Sequence, residues 1–234
     1  MPQLANFRSD IEKATNPEKA KLLQCFFKTG KGEYGEGDIF LGITVPESRK
    51  LAIKYKDLPL KDTESLLKSK IHEERLIALL ILVHNYEKNS ETRDKIFNFY
   101  LKNTEYINNW DLVDLSSHQI VGNYLSGRNR YILHKLAKSD NLWEKRISII
   151  STAYFIKKDD FSETLKIATI LLKDKHDLIH KAVGWMLREV GKRDLKTEES
   201  FLKKNYKKMP RTMLRYAIEK FPESKRLRYL KGEI

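Results

Sequence analysis

Ile71-His72-Glu73-Glu74-Arg75-Leu76-Ile77-Ala78-Leu79-Leu80 is the stretch on which the fold turns, because the chain restates it. Leu142-Trp143-Glu144-Lys145-Arg146-Ile147-Ser148-Ile149-Ile150 and Leu178-Ile179-His180-Lys181-Ala182-Val183-Gly184-Trp185-Met186-Leu187 share its form, a charged opening turn running into an apolar helix. The starts at 142 and 178 lie 36 residues apart, and those at 71 and 142 lie 71 apart, close to twice that spacing. A missing unit is therefore expected near 107, where Ile107-Asn108-Asn109-Trp110 stands. Each apolar helix is followed by a more polar one, for example Glu91–Lys102 and Ser162–Lys173. Strand signals are few, with no regular alternation and no Asn-Gly hairpin turn.

A repeat of this length with two helices per unit signals stacked helical repeats. The sequence predicts an all-α fold, a right-handed superhelical solenoid of HEAT-like repeats with about five or six helix pairs. Residues 1–234 are read as a single domain.

Upstream of the repeats, Asn16-Pro17-Glu18 opens a helix leading to Leu22, Leu23, Phe26 and Phe27, with Pro17 in the first turn. Pro46-Glu47-Ser48-Arg49 opens the next. Between them, five of the ten glycines fall from Gly30 to Gly42, so Thr29–Asp38 reads as a loop with unusual backbone angles. It lacks the Gly-Lys-Ser/Thr ending of a phosphate-cradling loop. Lys and Arg number 45 against 32 Asp and Glu, a net charge of +13 that favours a polyanionic partner, nucleic acid or an anionic membrane surface. No apolar run is long enough to span a bilayer and the N-terminus carries no secretion signal, so a cytoplasmic protein is expected. The lone cysteine, Cys25, excludes an internal disulfide and reads as a small core residue.

The unit expected near 107 holds Asn108-Asn109-Trp110-Asp111-Leu112-Val113-Asp114, at the head of an apolar helical segment running to about Leu125. Trp110 and Asp114, four residues apart, share a helical face; Asp111 points elsewhere and suits the helix N-terminus. The plain alternative is a core tryptophan beside a solvated aspartate. In the repeat register Trp110 aligns with Lys145 and Lys181, and Asp114 with Ile149 and Trp185. Arg188 follows Trp185 by three positions, and Arg146 lies in the intervening unit. The register thus predicts two tryptophans, one carboxylate and several cations facing one groove. Other features read as structural: Trp143 packs between repeats, and Arg75 is a structural or outer-face residue. His176 and His180 have i,i+4 spacing but no Glu follows His176, so no metal site is expected.

Trp110-Asp111-Leu112-Val113-Asp114, Leu142-Trp143-Glu144-Lys145-Arg146 and Lys181-Ala182-Val183-Gly184-Trp185-Met186-Leu187-Arg188-Glu189 resemble, in order, the motifs of AlkD-type DNA alkylation-repair glycosylases. Asn16-Pro17-Glu18-Lys19-Ala20 and Phe40-Leu41-Gly42-Ile43 resemble that family too, so the likeness spans nearly the whole chain. The resemblance implies a monomer that removes cationic N3- and N7-alkylated purines, such as 3-methyladenine and 7-methylguanine, from double-stranded DNA in base excision repair, with no metal or cofactor. It implies Asp114 as the catalytic carboxylate and Trp110 and Trp185 as aromatics flanking the lesion's sugar. Arg146 and Arg188, with Lys181, would hold backbone phosphates. Phe26 or Phe27 stands where the family usually has a DNA-contacting tyrosine, and Tyr154 stands where it has a lysine after the arginine motif. The loop at 29–38 is longer than in the type member. Other readings are a non-catalytic nucleic-acid-binding repeat protein and a protein-interaction scaffold. The basic charge argues against the scaffold, and the Trp110, Asp114, Trp185 set argues against binding alone.

Overall fold

A computed structural model describes residues 2–234. Seven helices precede Leu115: α1 (Pro2–Lys13), α2 (Pro17–Phe26), α3 (Val45–Lys54), α4 (Leu60–Leu67), α5 (His72–Lys88), α6 (Arg93–Lys102) and α7 (Trp110–Asp114). Eight more follow: α8 (Tyr131–Ala137), α9 (Leu142–Ser151), α10 (Ala153–Ile156), α11 (Ser162–Leu171), α12 (Asp177–Arg193), α13 (Leu195–Asn205), α14 (Arg211–Ala217) and α15 (Glu223–Lys231). The fold is all-α, and among the described residues pairing of strand type is confined to an isolated parallel bridge between Ile39 and Ile71.

The repeat helices begin where the sequence spacing puts them, at His72, Trp110, Leu142 and Asp177. The last three are capped by a side chain: Asn109 Oδ1 accepts from the Trp110 N–H, Asn141 Oδ1 from Trp143 and Glu144, and His176 Nδ1 from Leu178. Asn16 caps α2 and Thr44 with Glu47 forms a capping box on α3, both at the prolines that announced them. The helix expected from the Trp110 motif to Leu125 is interrupted. Ser116 Oγ donates to the Leu112 carbonyl at 2.5 Å, and the Ser116 N–H turns to Val113 instead. Such back-bonding bends a helix, and the path continues through a π-helical turn at His118–Gly122.

Packing divides the chain into two compact units, the first ending at Ser116 and the second starting at Ser117. Each is built on one 17-residue helix. In the first, α5 is buried without a break from His72 to Val83, with α3, α4, α6 and α7 against it. This all-round burial explains its weakly amphipathic sequence. In the second, α12 is covered by α9, α11, α13 and α14. A side chain at Gly184 would put its Cβ 2.4 Å from the Met213 carbonyl, so glycine is what lets α14 lie this close.

Two readings of single residues change. Cys25 is exposed on α2, because the buried face of the segment is carried by Phe27 instead. Arg75 is structural but not on an outer face: it is 3 % exposed and paired with Asp38. Trp143 is buried, as expected.

Glu198 on α13 packs over Gly191 at 1 % exposure, and its Oε1 makes no hydrogen bond. Burial, with Glu199 nearby, pushes its carboxyl up to about 8. A carboxyl raised on folding contributes fully below its unfolded value near 4.5, and that contribution is lost as pH climbs toward 8. Glu198→Gln should therefore raise the Tm by a few degrees at pH 8, with the gain vanishing by about pH 4. Calorimetry at several pH values checks this; an equal shift at every pH would contradict it.

Candidate functional site

In the first unit the motif helix is short: α7 contains five residues, with Trp110 at its first position and Asp114 at its last. The two side chains, four apart, lie on one face and are both partly exposed. Asp111 is different. It is buried, its Oδ2 lies 2.8 Å from His72 Nε2, and its Oδ1 accepts from the Leu112 N–H at 2.8 Å. The carboxylates of the motif are thus divided, Asp111 inward and Asp114 at the surface. The charge of Asp114 also adds to burial in raising the Tyr100 hydroxyl, which is hydrogen-bonded to Ser116 Oγ at 2.9 Å.

Trp110 rests on an aromatic ladder. Phe27 stacks on it with centroids 5.1 Å apart and planes at 12°, Phe40 stacks on Phe27 at 4.8 Å, and His72 on Phe40 at 4.4 Å. Phe26, 64 % exposed, meets Trp110 edge-on at 6.0 Å. The Trp110 Nε1–H donates to the Tyr34 hydroxyl at 3.2 Å, so the glycine-rich loop reaches the motif. Beneath lies a cavity of about 370 Å³ lined by Phe26, Phe27, Phe40, His72, Glu73 and Asp111 among others.

The loop is fastened at both ends. Gln24 Nε2 donates to Thr29 Oγ1 and to the Asp38 carbonyl, each at 2.6 Å. Gly32 and Gly37 take positive φ, and the Gly30 and Gly32 N–H groups donate to Glu33 and Glu36. Past the loop, the buried Glu73 carboxylate accepts from the N–H groups of Leu41, Gly42 and Ile43 at 2.8 to 3.2 Å. Gly42 has φ +83° and its Cβ would sit 2.2 Å from the Asn16 carbonyl, which fixes glycine there.

In the second unit, Lys181, Trp185 and Arg188 share one face of α12 by their spacing. Lys181 pairs with Asp177 at 2.7 Å. The Trp185 Nε1–H donates to Glu189 Oε1 at 3.1 Å. Arg188 is paired with Glu219, and its Nε lies 3.6 Å from Glu189. Tyr154, on α10, is partly exposed with the Lys158 ammonium over its ring at 4.8 Å. The sequence reading has Arg146 holding phosphate; in the fold it is 5 % exposed and its Nη1 donates to the Leu178 carbonyl at 2.7 Å, a tie between α9 and α12.

Sequence reasoning missed Asp38, His72, Glu73 and Glu189. Glu189 had a signal, its i,i+4 spacing from Trp185. His72 and Asp38 had none, being 39 and 34 residues from the partners they meet.

The family model described as "DNA alkylation repair enzyme" matches residues 7–221. Among solved structures, a "Predicted DNA alkylation repair enzyme from Enterococcus faecalis" superposes with a TM-score of 0.69 at 18 % identity, covering 89 % of this chain and 97 % of that one. At that identity the likeness establishes the helical-repeat fold alone. No curated protein sequence matches. With the family model extending over most of its length, the chain belongs to the DNA alkylation repair enzyme family.

Proposed function

We propose that the chain is a DNA glycosylase of the AlkD type, excising cationic N3- and N7-alkylated purines from duplex DNA as the first step of base excision repair. The observation that carries this reading is the division of the two carboxylates on α7. Asp111 lies buried against His72, and Asp114 shares a partly exposed face with Trp110. Membership of a DNA alkylation repair enzyme family supports DNA as the substrate.

The chemistry asks little more. An N-alkylated purine already carries positive charge, so when its glycosidic bond breaks the electron pair neutralises it and no general acid is needed. The charge passes to the sugar as an oxocarbenium ion, as in other glycosidic cleavages. The Asp114 carboxylate stabilises that ion and orients the water that adds to C1′, while the electron-rich face of Trp110 borders it and excludes solvent. Trp185 and Arg188 on the second unit supply further contacts to the sugar-phosphate backbone.

The test is release of free 7-methylguanine and 3-methyladenine from methylated duplex by purified protein. Binding without release would favour the non-catalytic DNA-binding reading. Binding itself should be salt-dependent, with a log–log slope of roughly −0.9 per phosphate neutralised. Arg188→Ala and Lys181→Ala should each make that slope shallower by about one unit. An unchanged slope in both would move the DNA-binding surface elsewhere.

A further inference from the structure

His72, the first residue of α5, is 2 % exposed, with Nε2 2.8 Å from Asp111 Oδ2 and Nδ1 3.3 Å from Asp38 Oδ2. Nδ1 also has Arg75 Nη2 at 3.5 Å, farther than the Asp38 carboxylate; a ring that donates to the carboxylate on each side is an imidazolium. Asp38 Oδ2 also receives Arg75 Nη2 at 2.6 Å and Asn109 Nδ2 at 3.3 Å. Two cations and two carboxylates therefore balance in the interior, as buried charge requires. They join three separate parts of the first unit. Asp38 ends the glycine-rich loop, His72 and Arg75 open α5, and Asn109 and Asp111 begin the motif helix. The His72 ring also stacks on Phe40, the base of the ladder under Trp110. It thus supports α7 twice, through the Asp111 ion pair and through the rings.

We propose that His72 is a positioning residue for the excision reaction, an imidazolium that fixes the angle at which α7 presents Trp110 and Asp114 and that releases this helix when it loses its proton. The inference deepens the glycosylase reading and rests on it.

The charged groups facing the ring are Asp111 from α7, Asp38 from the loop and Arg75 from its own helix; Phe27 and Phe40 cover it. Burial works against the charge, but Asp111 and Asp38 outweigh burial and Arg75 and lift the ring above its ordinary value of 6.5. For Asp38, burial is likewise outweighed by His72 and Arg75, which hold its carboxyl below the usual 3.8. A raised histidine contributes fully below its unfolded value and loses that contribution as pH rises through the folded one. A lowered aspartate keeps its contribution until pH falls through its depressed value. The clamp therefore holds below the raised midpoint of His72 and opens as pH climbs through it.

Nuclear magnetic resonance of the DNA-free, 15N-labelled protein tests this directly. The chain has three tryptophans, so the Trp110 indole N–H can be followed beside those of Trp143 and Trp185. The Trp110 resonance should shift with the midpoint of the His72 ring, while the other two stay still. A Trp110 resonance that does not move as His72 titrates overturns the proposal. On methylated duplex, the wild-type single-turnover rate should fall above that same midpoint. His72→Gln should be slower than wild type by about tenfold to a hundredfold below that midpoint, the cost of a misplaced reacting group. Its duplex affinity should be unchanged and the fall above the midpoint absent. A His72→Gln protein with wild-type rate and pH profile also overturns the proposal. A wild type that releases no base ends the glycosylase reading and the role of His72 in a reaction, while the resonance of the free protein still reports whether His72 holds α7.

Discussion

Asp114→Asn is expected to slow single-turnover release of 7-methylguanine on the order of a hundredfold, the cost of one well-placed electrostatic contact. Duplex affinity should hold or rise slightly, because the substitution keeps shape and hydrogen bonding and removes a charge of the same sign as phosphate. Rate lost without binding lost marks an interaction made in the transition state alone. Some rate should remain, since a cationic base leaves spontaneously. Trp110→Ala and Trp185→Ala should each lose less. Asp111→Asn looks from its helical position like an inert control for Asp114. Its burial against His72 removes that use, because the neutral amide would leave an imidazolium half-paired in the interior. Asp159→Asn, on an exposed pair with Arg193 that the proposed reaction does not use, is the better control. Circular dichroism excludes misfolding. Equal rates for Asp114→Asn and wild type would end the proposed mechanism.

Glu73→Ala should carry the largest stability loss. Its carboxylate, 1 % exposed, accepts three consecutive backbone N–H groups, from Leu41 to Ile43. Removing it leaves those donors buried and unpaired, at about 1–3 kcal/mol each. A total of about 3 kcal/mol or more corresponds to a Tm lower by roughly 6–12 °C. Glu73→Gln, which keeps one accepting oxygen, should recover part of the loss. Thermal unfolding of the two variants decides it, and an alanine variant within a degree or two of wild type would show that the strand-like segment holds without this anchor.

Much of the fold was legible because it is local. Proline at Pro17 and Pro46 and the apolar period from Ile71 each act within a few turns of chain, and the 36-residue spacing repeats one such local two-helix unit. Interruption of the helix after Asp114 was less visible, since it depends on the Ser116 hydroxyl choosing the Leu112 carbonyl over solvent. The motif helix was legible in Trp110 and Asp114, whose four-residue spacing puts them on one face. Its support was not. His72 reads as one more polar residue in an opening turn, and Asp38 as the end of a loop. Only the folded chain makes them a pair. Arg146 shows the same limit in reverse: a cation in a basic sequence looks available, and tertiary burial decides that it is not.

Exposed Cys25 has a practical consequence. It is the chain's only cysteine and adjoins Phe26, the ring that meets Trp110 edge-on. A fluorophore coupled to that thiol sits one residue from the aromatic cluster, so arrival of a duplex at α7 can be followed by quenching without engineering an attachment point. The same accessibility lets two molecules join through a disulfide when dissolved oxygen oxidises their two thiols during storage. Such a covalent pair would bring two α2 helices together over Phe26, and a preparation kept without reductant would then lose DNA binding for a reason unrelated to repair chemistry.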